Sequence, residues 1–350
     1  MSNIEPSEAL TQPPDVLSVM GDMVDSVKEI EKWPNLSGAL KECEEYILPA
    51  YRDADQAAIR HQKHHKRLTK LAAVFGTAAV LIAIGQLAFH KMLELHIGKE
   101  IAEHYLIGLE LVSVTLALIA VVLGIVSVRL NRWLVERYKA ERLRSIKFRF
   151  LLNPAIWSTG QLKTDVDAVN SITVEEIHEE LEQENPPFTP PQPPQTTEDQ
   201  TLSGLIKYYR VKRLEFQRTY FQERIDLNED MDKRTREWPR WLFFGSIAAV
   251  FIHFIFHLCG LEEIGRVFTF LAAALPAFAG GVRIFRSANE YARNLHRYRA
   301  KEATLSHWLE KIRGHGNDNN SIIRELWYCE AILEFENQEW CRLMIESEWY

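Results

Sequence analysis

The residues whose type and position most clearly suggest a chemical role are polar side chains inside, or beside, otherwise apolar stretches of the sequence. Gln86, Glu110 and Ser113 accompany the first two such stretches, and His253 and His257 lie in the third, four residues apart. Polar groups that face lipid are costly, so they usually face protein or a water-filled path. We predict these five residues as candidates to line a pore, with close helix packing as the alternative explanation.

Histidine spacing suggests a second chemistry, metal binding. His253 and His257, like His61 and His65, have the four-residue spacing of ligands on one helix face, but neither pair has a suitably spaced third ligand and HExxH is absent. The cysteines form no CxxC pair. Phosphate-binding GxxxxGK[ST], dinucleotide-binding GxGxxG and the GxSxG elbow are also absent. We therefore expect no metal, no cofactor and no enzymatic activity.

The elements that must position the polar residues are four uncharged apolar stretches, at 71–89, 111–128, 241–261 and 267–282. Each approaches the ~20 apolar residues with which a helix crosses a bilayer. A soluble core helix normally shows a polar face, and these stretches show almost none. The sequence therefore predicts an all-α membrane protein with two transmembrane helical hairpins, that is four spans, and cytoplasmic helical extensions.

Small residues recur at close intervals on two of the stretches. Gly124 lies on the second, and Ala273, Ala277 and Gly281 lie four residues apart on the fourth. Small side chains allow helices in lipid to approach each other closely. These four residues are predicted as helix-packing positions.

Basic residues indicate the orientation of the spans. Lysine and arginine are abundant before and after each pair of stretches and scarce in the short connection within each pair. Because cytoplasmic flanks carry the excess of basic residues, both termini and the middle segment are predicted to be cytoplasmic. The first ten residues lack a basic region followed by an apolar one, so no cleaved signal is expected. The prediction is a multi-pass protein of the cell inner membrane.

Composition divides the chain into five consecutive segments. They are an acidic N-terminal helical segment (1–50), a first hairpin with flanking helices (51–155), a linker with a Pro-rich spacer (156–201), a second hairpin with flanking helices (202–315) and an acidic C-terminal helix (316–350). Within the first segment, Asp15 is predicted to cap a helix that continues through Ile30. The mixed aromatic and basic residues at 208–213 are typical of an anchor to anionic lipid.

The acidic ends and the basic flanking helices are expected on the same side of the membrane. We therefore expect the C-terminal helix to contact the basic helix after the second stretch and to restrain the membrane-spanning part. Exposed ion pairs contribute little, so an apolar stripe must be buried in the same contact. The basic residues are Arg142, Arg144, Lys147 and Arg149, and the stripe is Leu326, Leu333, Trp340 and Met344.

The two halves of the chain resemble each other, and the first also resembles a known family. The motif Arg137-Tyr138-Lys139-Ala140 after the second stretch matches Arg297-Tyr298-Arg299-Ala300 after the fourth. The polar helix at 51–70, the two spans and the following helix RYKAERLRSIKFRFL (137–151) resemble the SLATT-type membrane domains of bacterial conflict systems. The resemblance covers roughly residues 50–315 as a tandem version with four spans.

This resemblance implies a pore-forming effector of antiviral defence that damages the membrane of its own cell. It also implies activation by a nucleotide-sensing or nucleotide-synthesising partner protein. We expect the lipid bilayer and further copies of the chain as partners, and no direct binding of nucleic acid. The alternatives are a non-conducting membrane anchor or signalling scaffold, and then an ordinary channel or transporter.

Overall fold

A computed structural model of the chain describes residues 21–97, 99–126, 129–182, 192–193, 199–314 and 318–346. Every regular element in these ranges is a helix, and none is a β-strand. The chain divides into two compact units. The helical unit comprises Met1–Lys63, Arg129–Ile225 and His296–Tyr350, and the membrane unit comprises His64–Val128 and Asp226–Leu295. The prediction of an all-α fold is confirmed.

Each half of the chain contains two long helices followed by a helix of 24 residues. The first half contains α1 (Val27–Ile30), α2 (Ser37–Glu42), α3 (Leu48–Ile97), α4 (Lys99–Val126), α5 (Arg129–Leu152), α6 (Gln161–Ser171) and α7 (Val174–Glu182). The second half contains α8 (Asp199–Tyr209), α9 (Phe216–Leu258), α10 (Glu262–Asn289), α11 (Tyr291–Gly314) and α12 (Asn319–Glu346). The sets α3–α4–α5 and α9–α10–α11 correspond to the repeat seen in the sequence.

A π-helical turn precedes the first long helix of each set. Cys43–Ile47 joins α2 to α3, and Arg210–Glu215 joins α8 to α9. A π turn holds more residues than an α turn and is often found at functional positions. The two halves therefore share an irregularity that no sequence motif predicted.

Three helical stretches are long and apolar enough to cross a membrane, judged by length and composition. They lie within Pro34–Phe89, Thr201–Leu258 and Glu263–Gly314. The span predicted at 111–128 contributes only a shorter apolar helix, Ile107–Ile119, to the residues described. These helices identify the chain as a membrane-embedded helical protein.

The membrane unit is held together by close packing at a glycine and by hydrogen bonds between helices. Gly281 of α10 lies so close to Thr77 of α3 that no Cβ atom would fit. Ser246 of α9 donates a hydrogen bond of 2.7 Å to the carbonyl oxygen of Ala272 in α10. Large apolar side chains on the outside remain exposed, among them Leu87. Such a surface suits contact with lipid or with further copies of the chain.

The helical unit has one main apolar core, built from widely separated parts of the sequence. Leu40 of α2, Leu143 of α5, Leu205 of α8 and Leu326 of α12 are all fully buried in it. Complete burial of such a side chain contributes about 1.5–3 kcal/mol. α12 packs along α5, so the C-terminal helix is an integral part of this core.

The helix predicted from Asp15 to Ile30 is wrong for its described part. Residues 21–26 are not helical, and only Val27–Ile30 forms a short helix. The cause is electrostatic, because the irregular path turns carbonyl and carboxylate oxygens of this segment toward Lys147. Asp15 and the rest of 1–20 lie outside the described residues.

The predicted lipid anchor at 208–213 is also wrong. Tyr208, Tyr209 and Arg213 are buried in the helical unit. Their hydroxyl and guanidinium groups bind buried carboxylates, so the same mixture of aromatic and basic residues serves the protein interior.

The segment predicted as a linker, 156–201, contains ordered helices. α6 and α7 lie within it, and Leu162, Val166 and Val169 of α6 are buried in the core of the helical unit. Most of the Pro-rich spacer falls outside the described ranges, and α8 begins at Asp199. Composition follows chain order, whereas each compact unit joins separated stretches, so the five segments and the two units do not coincide.

Candidate functional site

The predicted pore positions on α3 and α4 differ in their surroundings. Ser113 is buried, whereas Gln86 and Glu110 are partly exposed. The Nε2 atom of Gln86 is buried and has no hydrogen-bond partner among the residues described. Glu110 likewise forms no hydrogen bond or ion pair within the described ranges. Two polar groups on apolar helices therefore have no partner among the residues that the structure describes.

The two predicted histidines on α9 have separate roles. His253 Nδ1 lies 2.9 Å from the carbonyl oxygen of Gly265 and 3.1 Å from the hydroxyl oxygen of Thr269, both on α10. His257 is exposed in the last turn of α9, and its ring stacks on that of His253 at 6.2 Å. His253 thus joins the two helices. In the described ranges, no group of three or more His, Cys, Asp or Glu residues is arranged to hold a metal ion.

The predicted packing residues lie on α4 and α10. Gly281 makes the close approach to α3 described above, Ala277 is partly buried and Ala273 is exposed. Gly124 lies in α4. The close contact of α10 with α3 is therefore at Gly281, the C-terminal end of the row of small residues.

The helical unit contains a cluster of charged side chains that the sequence did not predict to be buried. We call it the ion-pair core. It comprises the acidic residues Asp22, Asp25, Glu141 and Glu330 and the basic residues Arg144, Lys147, Lys212 and Arg213. Burial of a charge is costly unless the charge is paired and hydrogen-bonded, so the contacts of each member decide whether the cluster stabilises the fold.

Lys147 fastens the N-terminal segment to α5. Its Nζ atom donates hydrogen bonds to the carbonyl oxygens of Asp22 (2.8 Å) and Met23 (3.0 Å) and to Oδ2 of Asp25 (2.8 Å). The Tyr208 hydroxyl donates to the same Asp25 oxygen at 2.6 Å. Burial acts to raise the pKa of Asp25, but the Lys147 ammonium and the Tyr208 hydroxyl outweigh it and lower the pKa. The Asp25 carboxylate therefore stays ionised at neutral pH.

Arg213 fastens the second π turn to α12. Its Nε and Nη2 atoms donate to the two carboxylate oxygens of Glu330 at 2.7 and 3.0 Å. The Tyr209 hydroxyl donates to Oε1 of Glu330 at 2.6 Å. This bidentate arginine–carboxylate pair is among the strongest charge-assisted hydrogen bonds in proteins.

Asp22 connects these two sets of contacts. Its Oδ2 atom accepts hydrogen bonds from Arg213 Nη1 at 3.1 Å and from Gln217 Nε2 at 2.9 Å, and it lies 3.3 Å from Arg144 Nε. Arg144 also donates to both oxygens of Glu141, at 2.7 and 2.8 Å. Burial acts to raise the pKa of Glu141, but its ion pair with Arg144 outweighs burial and lowers the pKa. One carboxylate thus links the N-terminal segment, α5 and the second π turn.

The expected contact between the acidic C-terminal helix and the basic helix α5 is present. Glu334 lies 2.7 Å from Arg149 and 3.3 Å from Arg142. Of the predicted apolar stripe, Leu326, Leu333 and Met344 are buried and Trp340 is partly buried. Two of the predicted basic residues, Arg144 and Lys147, are instead occupied by the N-terminal segment and Glu141. The described parts of both acidic end segments therefore contact α5.

The arrangement is suited to holding helices together. Each member of the ion-pair core contacts an opposite charge, and the contacts join four separate parts of the chain. Sequence reasoning missed the core because charged residues on a helix are normally assigned to its solvent face. The available signal is in α5, where arginine and lysine alternate with large apolar residues on all sides of the helix.

Comparison with known proteins gives no further assignment. No protein family, no curated protein and no solved structure matches this chain.

Proposed function

We propose that this chain is a membrane-permeabilising effector of bacterial antiviral defence that forms homo-oligomers around an aqueous path in the inner membrane. The observation that carries the proposal is the lack of a polar partner for Glu110 and for Nε2 of Gln86 within the described chain. Polar and charged groups inside a bilayer are costly unless they meet protein or water. Neighbouring copies around a wet centre supply that environment.

Activation involves release of a restraint in the helical unit. In this proposal α12 holds α5 in a silent arrangement, and a partner protein that senses or makes a nucleotide signal releases it. The contacts of Glu334 with Arg142 and Arg149 support the restraint. The nucleotide-linked partner follows from the resemblance to SLATT-type domains.

Four spans complete the proposed topology. α4 crosses the membrane as the second span, both termini and the middle segment are cytoplasmic, and the turn between α9 and α10 is external. Scarcity of basic residues in the connection within each pair supports this orientation.

Cys259 is expected to react alone with a membrane-impermeant maleimide added to intact cells. It is exposed in the turn after α9, whereas Cys43, Cys329 and Cys341 are buried. Burial raises the pKa of the Cys43 and Cys341 thiols to about 12, and the thiolate is the reactive form. Mass spectrometry of the purified chain should find one label, on Cys259.

The Cys259→Ser variant is the control and should remain unlabelled. A reporter fused after Thr197 should read cytoplasmic. If Cys259 reacts only after the cells are lysed, the orientation is wrong, and an external reading at Thr197 would contradict the two-hairpin topology.

High expression of the full chain in bacteria is expected to depolarise the cells, because mass action favours the oligomer. Glu110→Gln should reduce depolarisation by about tenfold at equal membrane levels, since a ring of carboxylates concentrates cations in a pore. A voltage-sensitive dye and uptake of a DNA stain measure the effect.

Glu223→Gln is the matched control, because Glu223 is an exposed acid of α9 outside the apolar stretch and its loss should change nothing. Equal depolarisation by the wild type and Glu110→Gln would remove Glu110 from the path. If the inserted wild-type chain never depolarises cells, a non-conducting scaffold is the better interpretation.

A further inference from the structure

A basic cavity of about 670 Å³ lies in the membrane unit, where α10 ends and α11 begins. Its walls come from α9, from the last turns of α10 and from the first turn of α11. The charged lining consists of Arg236, Arg240, Arg283, Arg286, Arg293 and Glu290. The volume is within the range of about 300–1,000 Å³ that is usual for small-molecule sites.

A break in the helix direction creates the cavity. Glu290 has left-handed backbone angles (φ 50°, ψ 32°), which end α10 and allow α11 to start in a new direction at Tyr291. Asn294 Nδ2 donates a hydrogen bond of 3.3 Å to the carbonyl oxygen of Asn289 across the break. A non-glycine residue rarely adopts this conformation, so the bend is a specific feature of the fold.

The cavity holds more positive charge than the acidic residues described in the structure neutralise. Arg286 is bound by Asp232 through contacts of 2.7 and 3.0 Å, and Arg293 lies 2.8 Å from Glu290. The lining arginines Arg236, Arg240 and Arg283 are exposed and have no acidic partner within the described residues. Guanidinium groups match phosphate oxygens in a planar, two-pronged geometry. The unpaired arginines therefore favour a phosphate-bearing ligand.

Tryptophan residues indicate the depth of the cavity in the membrane. Trp238 and Trp241 are 58% and 73% exposed on α9. They alternate with the cavity residues Arg236 and Arg240 at the start of the apolar stretch 241–261. Exposed tryptophan is enriched at the membrane–water interface, where lipid phosphates lie. We propose that the cavity binds a phosphate group, supplied by the head group of an anionic phospholipid in the adjoining leaflet.

Native mass spectrometry of the full chain in a neutral detergent tests this site independently of any conduction. The probes are phosphatidylglycerol, phosphatidylcholine and inorganic pyrophosphate. Phosphatidylglycerol should bind, and phosphatidylcholine should bind much more weakly. Arg240→Gln combined with Arg283→Gln should weaken phosphatidylglycerol binding by about 10- to 100-fold, because it removes two charge-assisted contacts. Neither arginine has an ion pair with another described residue, so the fold should persist.

Lys233→Gln combined with Arg234→Gln is the matched control. Both residues are exposed on α9 outside the cavity, and the change removes the same formal charge. Its affinity for phosphatidylglycerol should stay within about twofold of the wild type. Equal losses in the two double variants, or equal binding of both lipids, would overturn the site. Binding of pyrophosphate without phosphatidylglycerol would overturn the lipid as the source of the phosphate.

Discussion

Replacing Glu330 with alanine is expected to lower the free energy of unfolding of the helical unit by about 3–5 kcal/mol. The change leaves the buried Arg213 guanidinium without its two bonds of 2.7 and 3.0 Å. It also removes the acceptor of the Tyr209 hydroxyl. Asp22, at 3.1 Å, is then the remaining acidic partner of Arg213. An incompletely paired buried charge costs far more than an ordinary hydrogen bond.

Chemical unfolding of the full chain in detergent, followed by tryptophan fluorescence and helix content, measures this loss. Asp230→Ala is the control, because it breaks an exposed ion pair with Arg234 and should cost only about 0–1 kcal/mol. Replacing both partners, Arg213→Met with Glu330→Leu, should recover part of the stability, since no unpaired charge on Arg213 remains. Equal midpoints for Glu330→Ala and Asp230→Ala would show that the ion-pair core does not hold the unit together.

Glu334→Arg is expected to make the chain permeabilise cells without its trigger. The change places a third positive charge between Arg142 and Arg149, which now lie 3.3 and 2.7 Å from the Glu334 carboxylate. It weakens the hold of α12 on α5 while Leu326 and Glu330 keep the core filled. A shift of about 1.4 kcal/mol in the balance would raise basal depolarisation by about tenfold. Growth and a voltage-sensitive dye provide the measurement.

Exchanging the charges, with Glu334→Arg and Arg149→Glu together, should return basal depolarisation most of the way to the wild-type level. Glu310→Arg adds the same charge at an exposed position of α11 and should have no effect. Deletion of residues 321–350 is less informative, because it also removes Leu326, Cys329 and Glu330 from the core. If Glu334→Arg inserts, folds and remains silent, α12 is an assembly or partner-binding helix and the restraint is rejected.

Apolar patterns in the sequence predicted the long helices and part of the packing. The stretch 71–89 lies in α3, and the stretch 241–261 lies in α9 up to Leu258, because a helix lets a long apolar run satisfy its backbone hydrogen bonds within the bilayer. Leu326 and Leu333 on α12 are buried as their helical spacing indicated. The spacing of apolar residues predicts burial correctly where the apolar face of a helix is the face that packs against the core.

The charged interior could not be predicted in the same way. Arg144 and Lys147 lie on a helix that composition assigns to a basic surface, and their burial depends on Asp22 and Asp25. Lys147 and Asp22 are 125 residues apart, and no local pattern connects them. The left-handed backbone conformation of Glu290, which forms the basic cavity, could not be predicted from the sequence either, since glutamate has no preference for that conformation.

The wide spacing of the ion-pair core fixes the order in which the protein is completed during synthesis. Arg213 leaves the ribosome 117 residues before Glu330, which at ordinary rates of translation is an interval of about 6–25 s. All four apolar stretches are made before that partner exists. The helical unit is therefore completed last. A chain interrupted before α12 lacks Glu330, the carboxylate that binds Arg213, and we expect cellular proteases to cut such unfinished chains.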